Sequence, residues 1–115
     1  MQTIQILLAD DHAIVRAGIR NLVEEIPNVE VIAEVGDGPS LFEILSSKQP
    51  DLLLVDLSMP DFNPIKSIRE IRLENPIMKI LVVSAYDDEP YVHGLLEAGV
   101  DGYHLKDQPL SDQSY

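Results

Sequence analysis

Residues 51–60 read DLLLVDLSMP, and this stretch decides the fold class. Its centre, residues 52–55, is entirely aliphatic and is followed by a single acidic residue, Asp56. An apolar run of this length bounded by turn residues is typical of a parallel strand buried on both faces, although periodicity alone does not exclude a buried helix. We therefore predict a central strand over residues 51–55, with Asp56 at the point where it ends.

The same pattern, a polar residue directly after a hydrophobic run, recurs along the chain. Asp10 and Asp11 follow IQILLA, Ser84 follows KILVV, and Lys106 follows DGYHL. In an open parallel sheet, ligands and chemistry collect outside the carboxyl ends of the strands. Three carboxylates, one hydroxyl and one ammonium group would then share one edge of the sheet. That combination suggests a divalent metal and phosphoryl chemistry.

Strand and helix patterns alternate along the chain without repeats. Strands are predicted over residues 4–9, 29–35, 51–55, 79–83 and 101–105. Helices are predicted over residues 13–26, 65–74 and 90–98, with a shorter one after the turn at 36–39 and a C-terminal cap at Gly99. Five strands with four intervening helices indicate a doubly wound α/β domain.

The composition limits what the chain does by itself. A length of 115 residues allows one domain with a modest core. With 20 acidic against 8 basic residues, the net charge of −12 repels nucleic acid and anionic membranes, so we expect this chain to bind neither. The absence of cysteine excludes disulfides and thiolate metal sites. No membrane-span pattern and no signal peptide is found, so a cytoplasmic location is expected.

Four pieces of the sequence resemble the receiver domain of two-component response regulators. They are LLADDHAIVRAGIRNLV, DLLLVDLSMPDFN, ILVVSAYDD and AGVDGYHLKD, which occur in the family's order and at its spacing. The DDH opening, the SAYDDE stretch and the LKD ending are most similar to the NarL/FixJ (LuxR-type) subfamily, usually transcription factors. The resemblance covers residues 5–107, so the receiver domain is expected over residues 1–107. It implies a flavodoxin-like, five-stranded parallel sheet of order 2-1-3-4-5.

The resemblance also implies a role for each residue at the polar edge. Asp56 matches the phosphoacceptor, a carboxylate that attacks phosphorus and becomes an acyl phosphate. Asp10 and Asp11 match the acidic pair that holds Mg²⁺, together with Asp56 and the main-chain carbonyl of Ser58. Lys106 matches the lysine that pairs with the phosphoryl group.

Two positions match the family's switch. Ser84 matches the hydroxyl that donates a hydrogen bond to a phosphoryl oxygen, and Tyr103 matches the aromatic residue whose ring then turns inward. The surface of the fourth helix and fifth strand would change state. The implied partners are a sensor histidine kinase and a C-terminal helix-turn-helix DNA-binding domain in the full-length protein, with a homodimer left open. The domain would modify itself but turn over no external metabolite, so it would not be an enzyme in that sense.

Each of these residues also has a purely structural interpretation. Asp10 and Asp11 would suit the N-terminus of the first helix, and Ser84 would suit a turn. Tyr103 would be an ordinary half-buried strand aromatic, and Lys106 a surface lysine. The histidines, with no shared spacing, are not expected to form a metal site; they are His12, His93 and His104.

Two other functions are alternatives to a phosphorylated receiver domain. An aspartate-nucleophile phosphatase of the dehalogenase type would want a second acid two residues after Asp56, and position 58 is Ser. A degenerate receiver that binds a partner without phosphorylation is supported only by Pro64, which stands where the family usually has a glycine. Proline cannot adopt a positive φ, but it suits the first turn of a helix that Asn63 would cap.

The end of the chain also departs from the family. Only residues 108–115 follow Asp107, too few for a normal fifth helix, so a short tail is expected there. That helix would pack beside the first, whose own apolar residues would then cover one face of the sheet. Those residues are Ile14, Val15, Ile19, Leu22, Val23 and Ile26. Part of this face is therefore expected to stay uncovered.

Overall fold

The computed structural model describes residues 3–84 and 89–105, without the side chains of residues 89–91 and 105. Its strands are β1 (Ile4–Ala9), β2 (Val29–Val35), β3 (Leu52–Asp56), β4 (Lys79–Ser84) and β5 (Gly102–Leu105). They form one sheet in the order β2-β1-β3-β4-β5, and every neighbouring pair is parallel. The predicted fold class and strand order are confirmed, with β3 in the centre of the sheet.

The helices follow the predicted pattern with small differences at their ends. They are α1 (Ala13–Glu24), α2 (Gly38–Leu45), α3 (Pro64–Glu74) and α4 (Glu89–Ala98). The first helix is two residues shorter than predicted, because the amide of Ile26 turns back to the carbonyl of Val23 before Pro27. The strand β3 lies one residue further along than predicted, so Asp56 is its last residue and not the residue after it.

The sheet carries different helices on its two faces. On one face, α2, α3 and α4 enclose the main core, where Leu41, Ile68 and Leu95 are fully buried. On the other face, α1 packs through Ile19 and Val23 against a smaller cluster made of Ile6, Leu8, Leu54 and Val83. Among the described residues, α1 is the helix that contributes to this second cluster.

The orientation of α1 differs from the expectation that its whole apolar set covers the sheet. Ile14 is 89% exposed, Leu22 51% and Ile26 53%. Ile14 and Leu22 lie on α1 and Ile26 lies two residues after its end, and we call these three exposed residues the outer row. The sheet-facing side of α1 is provided by Ile19 and Val23.

A single arginine on α3 connects the C-terminal ends of α3 and α4 to the start of β5. The guanidinium of Arg72 donates to the carbonyl of Gly99 from Nε (3.0 Å) and Nη2 (2.7 Å), and to the carbonyl of Asn75 (3.1 Å). Its Nη2 also lies 2.6 Å from Asp101 Oδ2, which accepts from the amide of Ile80 at 2.8 Å. Gly99 has φ +119° and follows α4, as its predicted capping role requires. We call this set of contacts the Arg72 clamp.

No helix within the described ranges is long and apolar enough to cross a membrane. The predicted domain boundary at residue 107, the tail over residues 108–115 and Lys106 all lie outside the described residues.

Candidate functional site

Three strands deliver polar side chains to the same edge of the sheet. Asp10 directly follows β1, Asp56 ends β3 and Ser84 ends β4. Ala9 pairs with Val55, and Asp56 with Val83, so the three strands finish nearly level. Asp10 and Asp56 are each 3% exposed and Ser84 1%. Burying polar side chains to this degree is unfavourable unless they are hydrogen-bonded or serve a function. This edge of the sheet is therefore the candidate functional site.

Four side chains converge at this edge with the chemistry of a cation site. Asp10, Asp11, His12 and Asp56 each offer one ligand atom, and these atoms lie within 4.8 Å of one another. Carboxylate oxygens are the ligands that Mg²⁺ prefers, and crowding three like charges raises the cost of keeping all of them ionised. A divalent cation would relieve that repulsion, so the donor set fits Mg²⁺.

His12 is the member of this group that sequence reasoning missed. Its Nδ1 lies 3.1 Å from Asp11 Oδ1, 3.3 Å from Asp10 Oδ1 and 3.8 Å from Asp56 Oδ2. The spacing of the three histidines does not reveal this role, because the partners of His12 are carboxylates at the ends of β1 and β3. The signal present in the sequence was simply that His12 directly follows the acidic pair.

The main chain of Asp10 is held from several sides. Its amide donates to the carbonyl of Val35 (3.0 Å), and its carbonyl accepts from Arg16 Nη1 (2.6 Å). Arg16 Nε in turn lies 3.1 Å from Glu34 Oε1. The side chain of Asp10 accepts from the amide of His12 (2.8 Å), and His12, not an aspartate, is the N-cap residue of α1. The capping interpretation of the acidic pair is therefore wrong.

Asp56 has a close neighbour two residues further along the chain. The hydroxyl of Ser58 donates a 2.7 Å hydrogen bond to Asp56 Oδ2. Sequence reasoning gave Ser58 a role only through its main-chain carbonyl. That role stays a prediction, while the side-chain contact is an additional feature of the site.

The two predicted switch residues occupy adjacent strands. Ser84 ends β4, and Tyr103 lies on β5 opposite Val82. Tyr103 is 0% exposed and belongs to the main core, so the interpretation of a half-buried strand aromatic is wrong. Lys106, the predicted partner of the phosphoryl group, lies outside the described residues.

The loop between β3 and α3 explains how Pro64 is accommodated. Pro64 is the first residue of α3, and the positive φ of the loop occurs at Asp61 (+54°). Asn63 is the N-cap residue but makes no capping side-chain hydrogen bond, contrary to expectation. The loop is fixed from the α2 side, where the amide of Gly38 donates to the carbonyl of Pro60 (3.0 Å). Pro64 therefore leaves the polar edge intact.

Comparisons with known proteins agree with this geometry. The family model described as the response regulator receiver domain matches residues 6–112. The transcriptional regulatory protein DegU of Brevibacillus brevis is 38% identical over 90% of this chain and 44% of its own length. The nitrate/nitrite response regulator protein NarL of Escherichia coli K12 is 36% identical over 93% of this chain and 50% of its own. The chain spans about half the length of these curated relatives.

Solved structures give the same result. A LuxR-family two-component response regulator from Aurantimonas superposes with a TM-score of 0.86 at 33% identity, covering 93% of this chain and 76% of that one. RcsB from Salmonella enterica serovar Typhimurium, bound to a promoter in the presence of the phosphomimetic BeF₃⁻, gives 0.89 at 30% identity, covering 96% and 56%. The chain therefore belongs to the response regulator receiver domain family, in its LuxR-type branch.

Proposed function

We propose that this chain is a phosphorylation-controlled switch that accepts a phosphoryl group on Asp56 from a phosphohistidine of a sensor histidine kinase. The observation that carries the proposal is the nearly buried Asp56 carboxylate at the end of β3, within 4.8 Å of Asp10 and Asp11 ligand atoms. Keeping a buried carboxylate ionised beside two others is energetically unfavourable. A bound divalent cation would offset this repulsion and leave Asp56 able to react with a phosphoryl donor.

The chemistry assigned to Asp56 is nucleophilic attack on phosphorus. One carboxylate oxygen bonds to phosphorus, the bond from phosphorus to the donor nitrogen breaks, and an acyl phosphate remains on Asp56. Mg²⁺, when bound, would neutralise charge on the phosphoryl oxygens. Asp10, Asp11, Asp56 and the carbonyl of Ser58 would hold it.

Two more side chains are assigned to the transferred group. Lys106 would pair with it as a point charge. Ser84 would donate a hydrogen bond to one of its oxygens, and its place at the end of β4 beside Asp56 supports this role.

The output of the switch is proposed to be the surface of α4 and β5. Ser84 and Tyr103 lie on the neighbouring strands β4 and β5, so a shift at the site has a short path to that surface. The promoter-bound RcsB structures support a DNA-binding domain as the effector in the longer protein. Homodimerisation, a cytoplasmic location and the absence of turnover of any external metabolite are parts of the same proposal.

The proposal is tested by phosphorylation with a small donor. Incubation with acetyl phosphate and Mg²⁺ should add one phosphoryl mass to the chain, and Asp56→Asn should abolish it because an amide does not attack phosphorus. Asp61→Asn is the matched control, since Asp61 is exposed and five residues away in the sequence. Undiminished labelling of Asp56→Asn would place the phosphoacceptor elsewhere.

A further inference from the structure

His12 stands out because its imidazole approaches three carboxylates at once. Nδ1 of His12 lies 3.1 Å from Asp11, 3.3 Å from Asp10 and 3.8 Å from Asp56. A single Nδ1–H group points at only one acceptor, so hydrogen bonding alone does not account for an arrangement around a common centre. We propose that His12 is a direct metal ligand through Nδ1, and that it makes this site favour imidazole-binding divalent ions such as Co²⁺ and Ni²⁺ over Mg²⁺. This inference rests on the proposed metal site.

The three separations from Nδ1 of His12 lie in the range found around one octahedral ion. With bonds of about 2.1 Å, adjacent ligand atoms lie about 3.0 Å apart and opposite ones about 4.2 Å apart. The distances from Nδ1 to the Asp10 and Asp11 oxygens are close to the adjacent value, and the 3.8 Å to Asp56 falls between the two.

The backbone fixes the position of His12 independently of any ion. Its amide donates to Asp10 Oδ1 (2.8 Å), and its carbonyl accepts from the amide of Arg16 (2.9 Å) in the first turn of α1. The imidazole is therefore anchored over the carboxylates by the start of the helix. Its side chain remains 57% exposed, which leaves a path for an ion from solvent.

The chemistry of the donors sets the selectivity. Carboxylates alone suit Mg²⁺, whereas an imidazole nitrogen favours Co²⁺, Ni²⁺, Cu²⁺ and Zn²⁺ in the general order of transition-metal affinities. The chain has no cysteine to offer a competing thiolate. Of the other histidines, His93 lies on α4 against Glu97 (2.9 Å) and His104 is buried on β5. His12 is the imidazole that the described residues place beside the acidic cluster.

Calorimetric titration with Co²⁺ and with Mg²⁺ tests the proposal. At about pH 8, where free imidazole is neutral, the unmodified chain should bind Co²⁺ more tightly than Mg²⁺. His12→Asn should lower the ratio of the two affinities by about tenfold or more, because one nitrogen ligand is lost. His93→Asn is the matched control, since it removes an exposed histidine from α4, and should leave the ratio unchanged.

A spectroscopic signature makes the result independent of how the variant folds. In the Co²⁺ form of the unmodified chain, the exchangeable Nε2 proton of a ligating His12 should give a strongly shifted proton resonance, retained in His93→Asn and absent in His12→Asn. Equal affinity ratios in all three proteins and no shifted resonance would overturn the proposal. Labelling of the unmodified chain by acetyl phosphate and Mg²⁺ is scored separately. If the chain is not labelled but His12 still ligates Co²⁺, the proposed phosphorylation is rejected and the proposed role of His12 is not.

Discussion

At the scale of single residues, Asp11 gives the most direct test of the cation site. Mg²⁺ that binds only the folded chain stabilises it, by about 1.4 kcal/mol at ten times its dissociation constant. For a domain of this size, that amounts to a rise of roughly 5 °C in thermal midpoint. We expect the rise in the unmodified chain and its near loss in Asp11→Ala, measured by thermal melts with and without Mg²⁺.

The control for Asp11 is Asp61→Ala, because Asp61 is exposed and lies outside the four-residue cluster. It should keep the full rise. An equal rise in all three proteins would show that Mg²⁺ acts only by screening the net charge of −12.

The positions of Asp10, Asp56 and Ser84 could be predicted because each follows a hydrophobic run that forms a strand, and parallel strands end at a common edge. The places of His12 and Arg16 could not. Their side chains reach the site from the loop before α1 and from α1 itself, and the rotation of that helix decides where they lie. Helical spacing shows which residues share a row, but not which row faces the sheet.

At the scale of elements, two glycines give opposite predictions. A Cβ added at Gly38 would lie 2.0 Å from the carbonyl oxygen of Asp61, whereas one at Gly18, in the middle of α1, would meet nothing within 4 Å. Gly38→Ala should therefore lower the free energy of unfolding by about 1–3 kcal/mol, because the β3–α3 loop must move. Gly18→Ala should raise it by about 0.5–1 kcal/mol, because alanine is a better helix former.

Denaturant melts of the two glycine variants and of the unmodified chain measure these changes in the free energy of unfolding. Unchanged stability of Gly38→Ala would contradict the close approach of α2 to the loop, and a loss of stability in Gly18→Ala would contradict the open space beside Gly18.

The start of α2 predicts a pH dependence. The amide of Ser40 donates to Asp37 Oδ1 (2.7 Å), and this bond, followed by one from the Ser40 hydroxyl, lowers the pKa of Asp37 below its ordinary 3.8. A lowered folded pKa means that the ionised cap stabilises the fold fully above the ordinary value and loses this effect as the pH falls through the folded value. We expect Asp37→Asn, which still caps but does not titrate, to flatten the stability curve below about pH 4.

Urea midpoints measured from about pH 2 to pH 6 would check the prediction for Asp37. Glu70→Gln, an exposed change on α3, should retain the unmodified slope. A slope in Asp37→Asn as steep as in the unmodified chain would argue against the cap.

The order and type of the elements could be predicted because the hydrophobic periods change clearly from strand to helix. Their ends were less predictable, as the early end of α1 and the inclusion of Asp56 in β3 show. The end of α1 is set by a backbone hydrogen bond within its own last turn, and the end of β3 by the pairing of Asp56 with Val83 on β4.

At the scale of the whole molecule, the outer row of α1 predicts association. Ile14, Leu22 and Ile26 are more than half exposed, and apolar surface concentrated in one place tends to find a partner. We expect the 115-residue chain to self-associate through this row, and Leu22→Lys to weaken the association. Sedimentation velocity at several concentrations measures it.

Leu73→Lys is the control for this charge change, because Leu73 is 77% exposed on α3, the helix layer of the opposite face. It alters the net charge equally but should leave the association unchanged. A chain that stays monomeric at every concentration would contradict the prediction.

The Arg72 clamp has a mechanical consequence for signalling. It fixes the carboxyl end of α4 to α3, β4 and β5, so a displacement beginning near Ser84 would turn the helix about that end. Ten residues of helix form an arm ~15 Å long, and a turn of roughly 4° carries its far end about 1 Å. The anchored end acts as a fulcrum, and the opposite end of α4 has the greatest reach. The strength of the Arg72 contacts would then determine how far the surface of α4 moves when Asp56 is phosphorylated.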